Sequence, residues 1–140
     1  MPKWRKWQAI DSIYSNIGLL GQKGIYQIRM IDKKNKPIPI PRLAGIDPEG
    51  IVYIGKSVRL RPRIEDFLGG RHSGGETYFL VYRHFIRSER FKNHSLQFRV
   101  LACEESALEV KEANILRKYF HKFCELPPFN STVPGGKKKR

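Results

Sequence analysis

Two stretches of sequence decide the fold: residues 23–31, KGIYQIRMI, and residues 50–57, GIVYIGKS. Each mixes aromatic and β-branched residues and is punctuated by glycine, which is typical of β-strands. Each also places a tyrosine, Tyr26 or Tyr53, between aliphatic residues. Because side chains alternate between the two faces of a strand, the phenol can lie opposite its neighbours. We predict two neighbouring strands, and Lys56 then leads into a basic segment suited to binding a phosphate.

The composition indicates one basic domain. The 140 residues are enough for a single hydrophobic core, and the 40% hydrophobic content excludes a wholly disordered chain. Lysine and arginine total 27 against 13 acidic residues, a formal charge of +14, and +10 remains without the four basic residues of the tail 137–140. Such an excess predicts a polyanionic partner, most simply nucleic acid, over a basic protein that has none.

The number and spacing of the cysteines and the lengths of the apolar segments indicate the cellular compartment. Two cysteines without CxxC spacing predict neither a disulfide framework nor a zinc site. No apolar segment reaches the about 18 residues that a membrane span needs, and no secretory h-region is present. We therefore predict a chain with no membrane partner in a reducing, cytoplasmic setting.

Two segments of unusual composition flank the first strand. Residues 1–22 predict a basic, helical N-terminal extension, because Trp7, Ile10, Tyr14 and Ile17 follow helical spacing. Such a helix could contact DNA, but amphipathic spacing favours packing on the sheet. The segment 32–50 is rich in lysine and in proline, which excludes a helix or a central strand. We predict an extended insertion that either reaches DNA or is simply solvated.

The remaining elements follow from periodicity. A helix is predicted after Ser57 and before Gly69, because four apolar residues share one face: Leu60, Ile64, Phe67 and Leu68. In the segment 77–91, residues 79–82 could form a strand, but the longer window fits a helix better, so we predict a second helix there. Residues 97–102 alternate like a third strand. The longest helix is predicted over 104–123, with an apolar face of Leu108, Ile115, Leu116, Tyr119 and Phe123. The basic tail, 132–140, is predicted to be disordered.

Two residues could carry chemistry. Glu112 falls on the apolar face of the longest helix, where an ionised carboxylate is costly unless a metal ion or an arginine such as Arg63 pairs with it. His72 lies in a glycine-rich loop and has an ordinary pKa near ~6.5, so it is a candidate proton-transfer group or an exposed loop histidine. After the second strand, Arg59, Arg61 and Arg63 form either a solvated surface or a phosphate clamp.

Taken in order, these motifs resemble the GIY-YIG nuclease family. Gly-Ile-Tyr ends at Tyr26 and Tyr-Ile-Gly-Lys begins at Tyr53, with Arg63 ten residues further on. A histidine loop, a glutamate in a long late helix and a closing asparagine follow at His72, Glu112 and Asn130. The resemblance covers about residues 23–131. The family usually joins its two tyrosine strands by a shorter connection than 32–50.

The resemblance implies a small α/β (α+β) domain with a three-stranded antiparallel sheet flanked by helices. It implies a metal-dependent endonuclease that hydrolyses DNA phosphodiester bonds, with Mg²⁺ or Mn²⁺ on Glu112. Arg63 would hold a phosphate oxygen, and Asn130 would orient the metal site or the phosphate. A tyrosine would accept the proton of the attacking water. We favour Tyr26, with Tyr53 and Lys56 positioning that water, although the sequence does not decide between the tyrosines.

The nucleic-acid interface implied by this resemblance consists of basic residues around the first helix: Lys56, Arg59, Arg61, Arg63 and Arg71. The length of the chain, 140 residues, favours a compact restriction-like or phage-like nuclease, since a separate recognition domain does not fit within it. One active site per chain would require a homodimer, or two visits, to cut both strands. Two other functions stay open: a non-catalytic nucleic-acid-binding protein on the same scaffold, and a basic RNA-binding protein of ribosomal type.

Overall fold

The computed structural model describes residues 3–68, 84, 88–89 and 94–130. Within them the fold is mixed α+β, with a four-stranded antiparallel sheet in the order β1-β6-β2-β5 and a two-stranded sheet of β3 and β4. The strands are β1 (Gln8–Ala9), β2 (Gly24–Ile31), β3 (Ile40–Arg42), β4 (Gly45–Asp47), β5 (Ile51–Ser57) and β6 (Ser95–Ala102). The α-helices are α1 (Leu60–Leu68) and α2 (Leu108–Phe123), and the 3₁₀ helices are Ile10–Ser15, Ile17–Leu19 and Glu105–Ala107.

The two tyrosine-bearing stretches form neighbouring strands, as predicted. β2 lies between β5 and β6, and its register places Tyr26 opposite Gly55 of β5 and Val100 of β6. The register shifts between Ile28 and Arg29, where β5 carries a bulge. A bulge bends and twists a strand locally, so it separates the tyrosine-bearing end of the β2–β5 pair from the end that leads into the insertion.

The sheet separates two hydrophobic layers. Consecutive residues of β2 enter different layers, because Tyr26 packs in the layer that contains Phe67 of α1, whereas Ile25 packs in the layer that contains Leu116 of α2. This alternation is the period of two expected for a strand covered on both faces. The predicted apolar face of α2 is confirmed, since Leu108, Leu116, Tyr119 and Phe123 are buried.

The main sheet has four strands, not the predicted three. The fourth is β1, which adds Gln8 and Ala9 to the outer edge of β6. The N-terminal segment is therefore helical only in part, and its helical turns are 3₁₀ rather than α. Residues 10–15 instead form a 3₁₀ helix that buries Ile10 and Ile13, while Tyr14 and Ile17 are 54% and 75% exposed. Buried residues three apart match the three residues per turn of a 3₁₀ helix.

The lysine- and proline-rich insertion is extended, as predicted, and folds back as the β3–β4 hairpin. Asp47 at its end is 2% exposed and accepts hydrogen bonds from Tyr119 Oη at 2.8 Å and from the Ile51 amide at 3.1 Å. The amide of Ala44, at the hairpin turn, donates to the Phe123 carbonyl at 3.1 Å. These bonds fix the hairpin to the C-terminal half of α2.

The other predicted elements have mixed outcomes. The third strand and the longest helix are confirmed as β6 and α2, and the first helix as α1. The predicted helix over 77–91, the loop with Arg71 and His72, and the tail 132–140 lie wholly or largely outside the described residues. Among the residues that are described, no helix is long and apolar enough to cross a membrane.

Candidate functional site

Tyr26 and Tyr53 lie side by side on the face of the main sheet that α1 covers. Their ring centroids are 5.9 Å apart, and Tyr53 also contacts Phe67 of α1, at 5.2 Å between centroids. Tyr26 is 0% exposed and Tyr53 is 9% exposed. Because only Gly55 lies opposite Tyr26 on β5, the Tyr26 ring has room to cross the neighbouring strand. Of the two side chains, that of Tyr53 is the more exposed to solvent.

Three of the sequence-predicted residues, Tyr26, Arg63 and Glu112, influence the ionisation of a fourth, Tyr53. Burial raises the pKa of Tyr53 to about 12, and the Glu112 carboxylate contributes to this rise. The Arg63 guanidinium and a hydrogen bond with the Tyr26 side chain lower the same pKa, but less than burial raises it. The net shift therefore disfavours the phenolate form that a proton-accepting tyrosine needs. Arg63 and Glu112 act on this pKa in opposite directions.

Glu112 pairs with a lysine rather than with Arg63. Nζ of Lys56 donates to Oε1 of Glu112 at 3.2 Å, with the two side chains 41% and 14% exposed. Lys56 belongs to β5, where it lies opposite Ile25 and so faces the α2 side of the sheet. The carboxylate is half-buried at the sheet edge and its charge is partly balanced, which removes much of the cost of placing it on an apolar helix face.

The arginines that follow β5 have different surroundings. Arg63 is half-buried in α1, whereas Arg59 precedes the helix and is exposed. Arg61 is bound within the protein, since it donates to the Tyr14 carbonyl at 2.5 Å and pairs with Glu65 at 3.3 Å. Arg61 would therefore have to break existing bonds to reach a phosphate.

Asn130 binds the outer edge of β5. Its Oδ1 accepts the Ile54 amide at 3.0 Å, and its Nδ2 donates to the Ile54 carbonyl at 2.9 Å. The amide of Phe129 donates to the Val52 carbonyl at 2.8 Å. Asn130 thus satisfies backbone groups that an edge strand would otherwise leave unpaired. In this position it acts on the strand that carries Tyr53, rather than directly on a metal or a phosphate.

The donor set near Glu112 suits a hard dication bound by one carboxylate. No group of three or more histidine, cysteine, aspartate or glutamate residues is assembled for a metal in the part of the chain that the structure describes. Mg²⁺ is often held by only one or two carboxylates, with water and substrate phosphate completing its shell. Glu112 meets that minimal requirement, although its Oε1 would have to exchange the Lys56 ammonium for the metal.

The sequence did not reveal two features of this site: the packing of Phe67 and Phe129 beside Tyr53, and the hydrogen bonds of Asn130 to Ile54, which we call the clasp on β5. Phe129 lies 6.3 Å from Phe67, between ring centroids, and Phe67 in turn contacts Tyr53. These contacts join segments far apart in the chain, so no local pattern could have shown them. Comparisons of the chain with protein-family models, curated proteins and solved structures found no match.

Proposed function

We propose that the protein is a divalent-metal-dependent DNA endonuclease, a compact restriction-like or phage-like phosphodiester hydrolase. One arrangement around β5 carries the proposal: Tyr53 packs beside Tyr26 on the α1 side of this edge strand, and Lys56 pairs with Glu112 on its α2 side. Arg63 and Glu112 both influence the pKa of Tyr53. These residues come from four separate elements, β5, α1, α2 and β2. Phosphodiester hydrolysis needs this combination: a cation for the phosphate, a carboxylate for a metal and a group that accepts a proton.

Each residue has a role that its position supports. Arg63 binds a non-bridging phosphate oxygen, for which its guanidinium fork is well shaped. Glu112 would hold the Mg²⁺ or Mn²⁺, which would supply stabilisation of the negative charge that develops during hydrolysis. Lys56, released from Glu112, positions the attacking water. Water attacks the phosphorus, the proton of the water passes to an ionised tyrosine, the bond to the leaving oxygen breaks, and the leaving oxyanion takes a proton from solvent.

The proton reaches Tyr53 first, because Tyr53 is more accessible than the fully buried Tyr26. Where Tyr26 rather than Tyr53 is the ionised phenol, Tyr53 passes its own proton to Tyr26 through their hydrogen bond as it accepts the proton of the water. With a pKa of about 12, ionised Tyr53 amounts to about one molecule in 10⁵ at pH 7. Glu112 contributes to that high pKa, so neutralising its charge with a bound cation shifts Tyr53 towards the phenolate.

A non-catalytic nucleic-acid-binding protein is the second candidate, and a specific observation favours it. The Glu112 carboxylate already has a cationic partner in Lys56, and Tyr26 is fully buried. A site whose charges are already paired needs no ligand for its stability. This candidate predicts binding without cleavage and no dependence of that binding on a divalent metal.

Nicking of supercoiled plasmid DNA with Mg²⁺ or with EDTA distinguishes the two candidates. The endonuclease converts plasmid to open circles in Mg²⁺ and not in EDTA, and Mn²⁺ restores cleavage after chelation. A Glu112→Gln protein purified in parallel shows whether a contaminating nuclease is responsible. If the protein retards the migration of plasmid but does not nick it in Mg²⁺ or in Mn²⁺, we would conclude that it is a non-catalytic nucleic-acid-binding protein.

A further inference from the structure

A groove with cationic walls runs along α2, and we call it the α2 groove. Its larger part is a cavity of about 440 Å³ lined by Trp4, Leu101, Lys111, Asn114, Ile115, Arg117, Lys118 and His121. An adjoining cavity of about 220 Å³ shares Ile115 and Lys118 with it and adds Arg99 and Lys122, but it is also lined by the carboxylates of Asp47 and Glu49, so the excess of positive charge lies in the larger cavity. The two cavities are therefore neighbours along the same flank of the helix.

The charges of the groove come from the helical repeat. Lys111, Lys118 and Lys122 lie seven and then four residues apart, which places them on one side of α2, with Ile115 between them. The larger cavity has no carboxylate in its lining. Across the described part of the chain, neither Lys111 nor Lys118 is within ion-pairing distance of a carboxylate. Their charges are thus available to an external anion.

The sheet side of the groove supplies an aromatic ring. Trp4 is half-buried beside α2, and the Arg99 guanidinium lies 4.5 Å from the centroid of its ring. Arg99 is itself held by Gln27, which accepts its Nε–H at 2.8 Å. The same guanidinium lies 4.6 Å from the centroid of the Trp7 ring, so Arg99 covers one face of Trp4 and a base would stack on the other face.

We propose that the α2 groove binds a single-stranded segment of nucleic acid, with phosphates on Lys111 and Lys118 and a base on Trp4. Proteins that bind single strands without sequence preference combine a positively charged groove with aromatic side chains on which bases stack. A cavity of about 440 Å³ falls in the range of small-molecule sites, the size class of one nucleotide. The recess between helix and sheet suits a separated strand better than a duplex.

This site differs from the candidate cleavage site. Glu112 points from α2 towards Lys56 on β5, whereas Lys111 and Lys118 lie on the flank of the helix that faces Trp4. Binding in the groove requires neither a metal nor a tyrosine. The inference therefore goes beyond the proposed endonuclease activity and can stand or fail independently of it.

The first test compares two double variants that each remove two positive charges. Lys111→Gln/Lys118→Gln alters the groove, and Lys33→Gln/Lys34→Gln alters two exposed lysines of the turn after β2. Fluorescence anisotropy is measured with labelled oligothymidylate of roughly a dozen nucleotides and with a duplex. We expect the groove variant to bind oligothymidylate on the order of tenfold more weakly, with the salt slope reduced by about 0.7 per lost phosphate contact. The turn variant, which loses the same charge, should lose clearly less affinity for oligothymidylate than the groove variant.

The second test reports on Trp4. Stacking of a base on an indole quenches its fluorescence, so oligothymidylate should quench the wild type and Trp7→Phe but have a much smaller effect on Trp4→Phe. Circular dichroism of each variant verifies that it is folded. An oligouridylate arm shows whether the groove distinguishes DNA from RNA, and binding of either strand supports the assignment.

The results separate this inference from the proposed function. If oligothymidylate binding depends on the groove lysines but plasmid is not nicked, the groove proposal is supported and the nuclease proposal is rejected. If plasmid is nicked but oligothymidylate binding does not depend on the groove lysines, the nuclease proposal is supported and the groove proposal is rejected. Equal losses in the groove and turn variants would overturn the inference, because they would reflect net charge alone. An equal or larger loss of duplex binding would overturn the single-strand assignment.

Discussion

The ring of Tyr26 lies across Gly55 of the neighbouring strand, where a side-chain carbon could not be placed. A Cβ at position 55 would come within 2.7 Å of Cζ and Oη of Tyr26 and within 2.8 Å of Cε2 of Tyr53. Position 55 lies directly opposite Tyr26 in the β2–β5 ladder. The glycine is therefore what allows both tyrosines to occupy the same face of the sheet.

Gly55→Ala should destabilise the protein by about 1–3 kcal/mol, because the new methyl group overpacks a site where the rings cannot move apart. Urea unfolding measures this change. Gly18→Ala is the matched control, since a Cβ there would meet only Oδ1 of Asn16, at 3.4 Å. If the two variants unfold at the same urea concentration, the close packing of Tyr26 on Gly55 is not as described.

The high pKa of Tyr53 predicts a pH dependence of stability. Below pH ~10 the phenol is protonated in both the folded and the unfolded chain. Between ~10 and about 12 the unfolded phenol ionises first, so the stability falls as the pH rises through this window. The effect for one such group is on the order of 2 kcal/mol.

Urea unfolding of wild type and Tyr53→Phe across this window measures the effect. The wild type should lose more stability than Tyr53→Phe, which cannot ionise at that position. Tyr14→Phe, at a tyrosine that is 54% exposed, should follow the wild type. Parallel curves for wild type and Tyr53→Phe would show that Tyr53 is not buried in the folded protein.

Asn130→Ala should expose the edge of β5 to exchange with solvent. The substitution removes both hydrogen bonds to the backbone of Ile54, and a hydrogen bond contributes about 0.5–1.5 kcal/mol each. Hydrogen–deuterium exchange at the Ile54 amide should become faster. Asn114→Ala, on the exposed side of α2, is the control and should leave that amide protected. Unchanged protection in Asn130→Ala would contradict the clasp on β5.

Lys56 and a divalent metal compete for the same carboxylate, so Lys56→Met should bind Mn²⁺ more tightly than wild type. Because Glu112 then loses its partner while only 14% exposed, the variant should also be less stable in EDTA. Calorimetric titration with Mn²⁺ measures the first effect. Lys23→Met is the control, since Lys23 pairs with Glu105 at an exposed position, 3.9 Å away. Equal Mn²⁺ affinities for wild type and Lys56→Met would argue against Glu112 as the metal ligand.

Local patterns in the sequence were sufficient for much of the fold. Alternation around Tyr26 and Tyr53 predicts both strands, and the apolar repeat from Leu108 to Phe123 predicts α2. The N-terminal segment was misread because Trp7, Ile10, Tyr14 and Ile17 happen to match helical spacing. Pairing of Gln8 and Ala9 with β6 instead fixes where this segment lies, and that contact spans almost ninety residues of sequence.

The candidate site was less predictable than the fold, because its geometry depends on contacts between distant segments. The sequence indicates that Glu112 needs a partner, but not that Lys56 supplies it. It marks Tyr53 as a candidate, but burial, which raises its pKa, arises only when α1 and the segment of Phe129 pack together. The assignment of Asn130 to the metal or phosphate could not anticipate its two bonds to Ile54.

The account rests on Glu112 as the single carboxylate that holds the metal, and single-turnover cleavage of plasmid DNA by Glu112→Gln tests it most directly. The variant keeps the size of the side chain but loses the charge, and loss of the metal should cost several powers of ten in rate. Thermal unfolding and DNA affinity, measured on the same preparation, should stay near wild type, and Glu105→Gln should cleave normally. A folded Glu112→Gln protein that cleaves DNA at close to the wild-type rate would contradict the account.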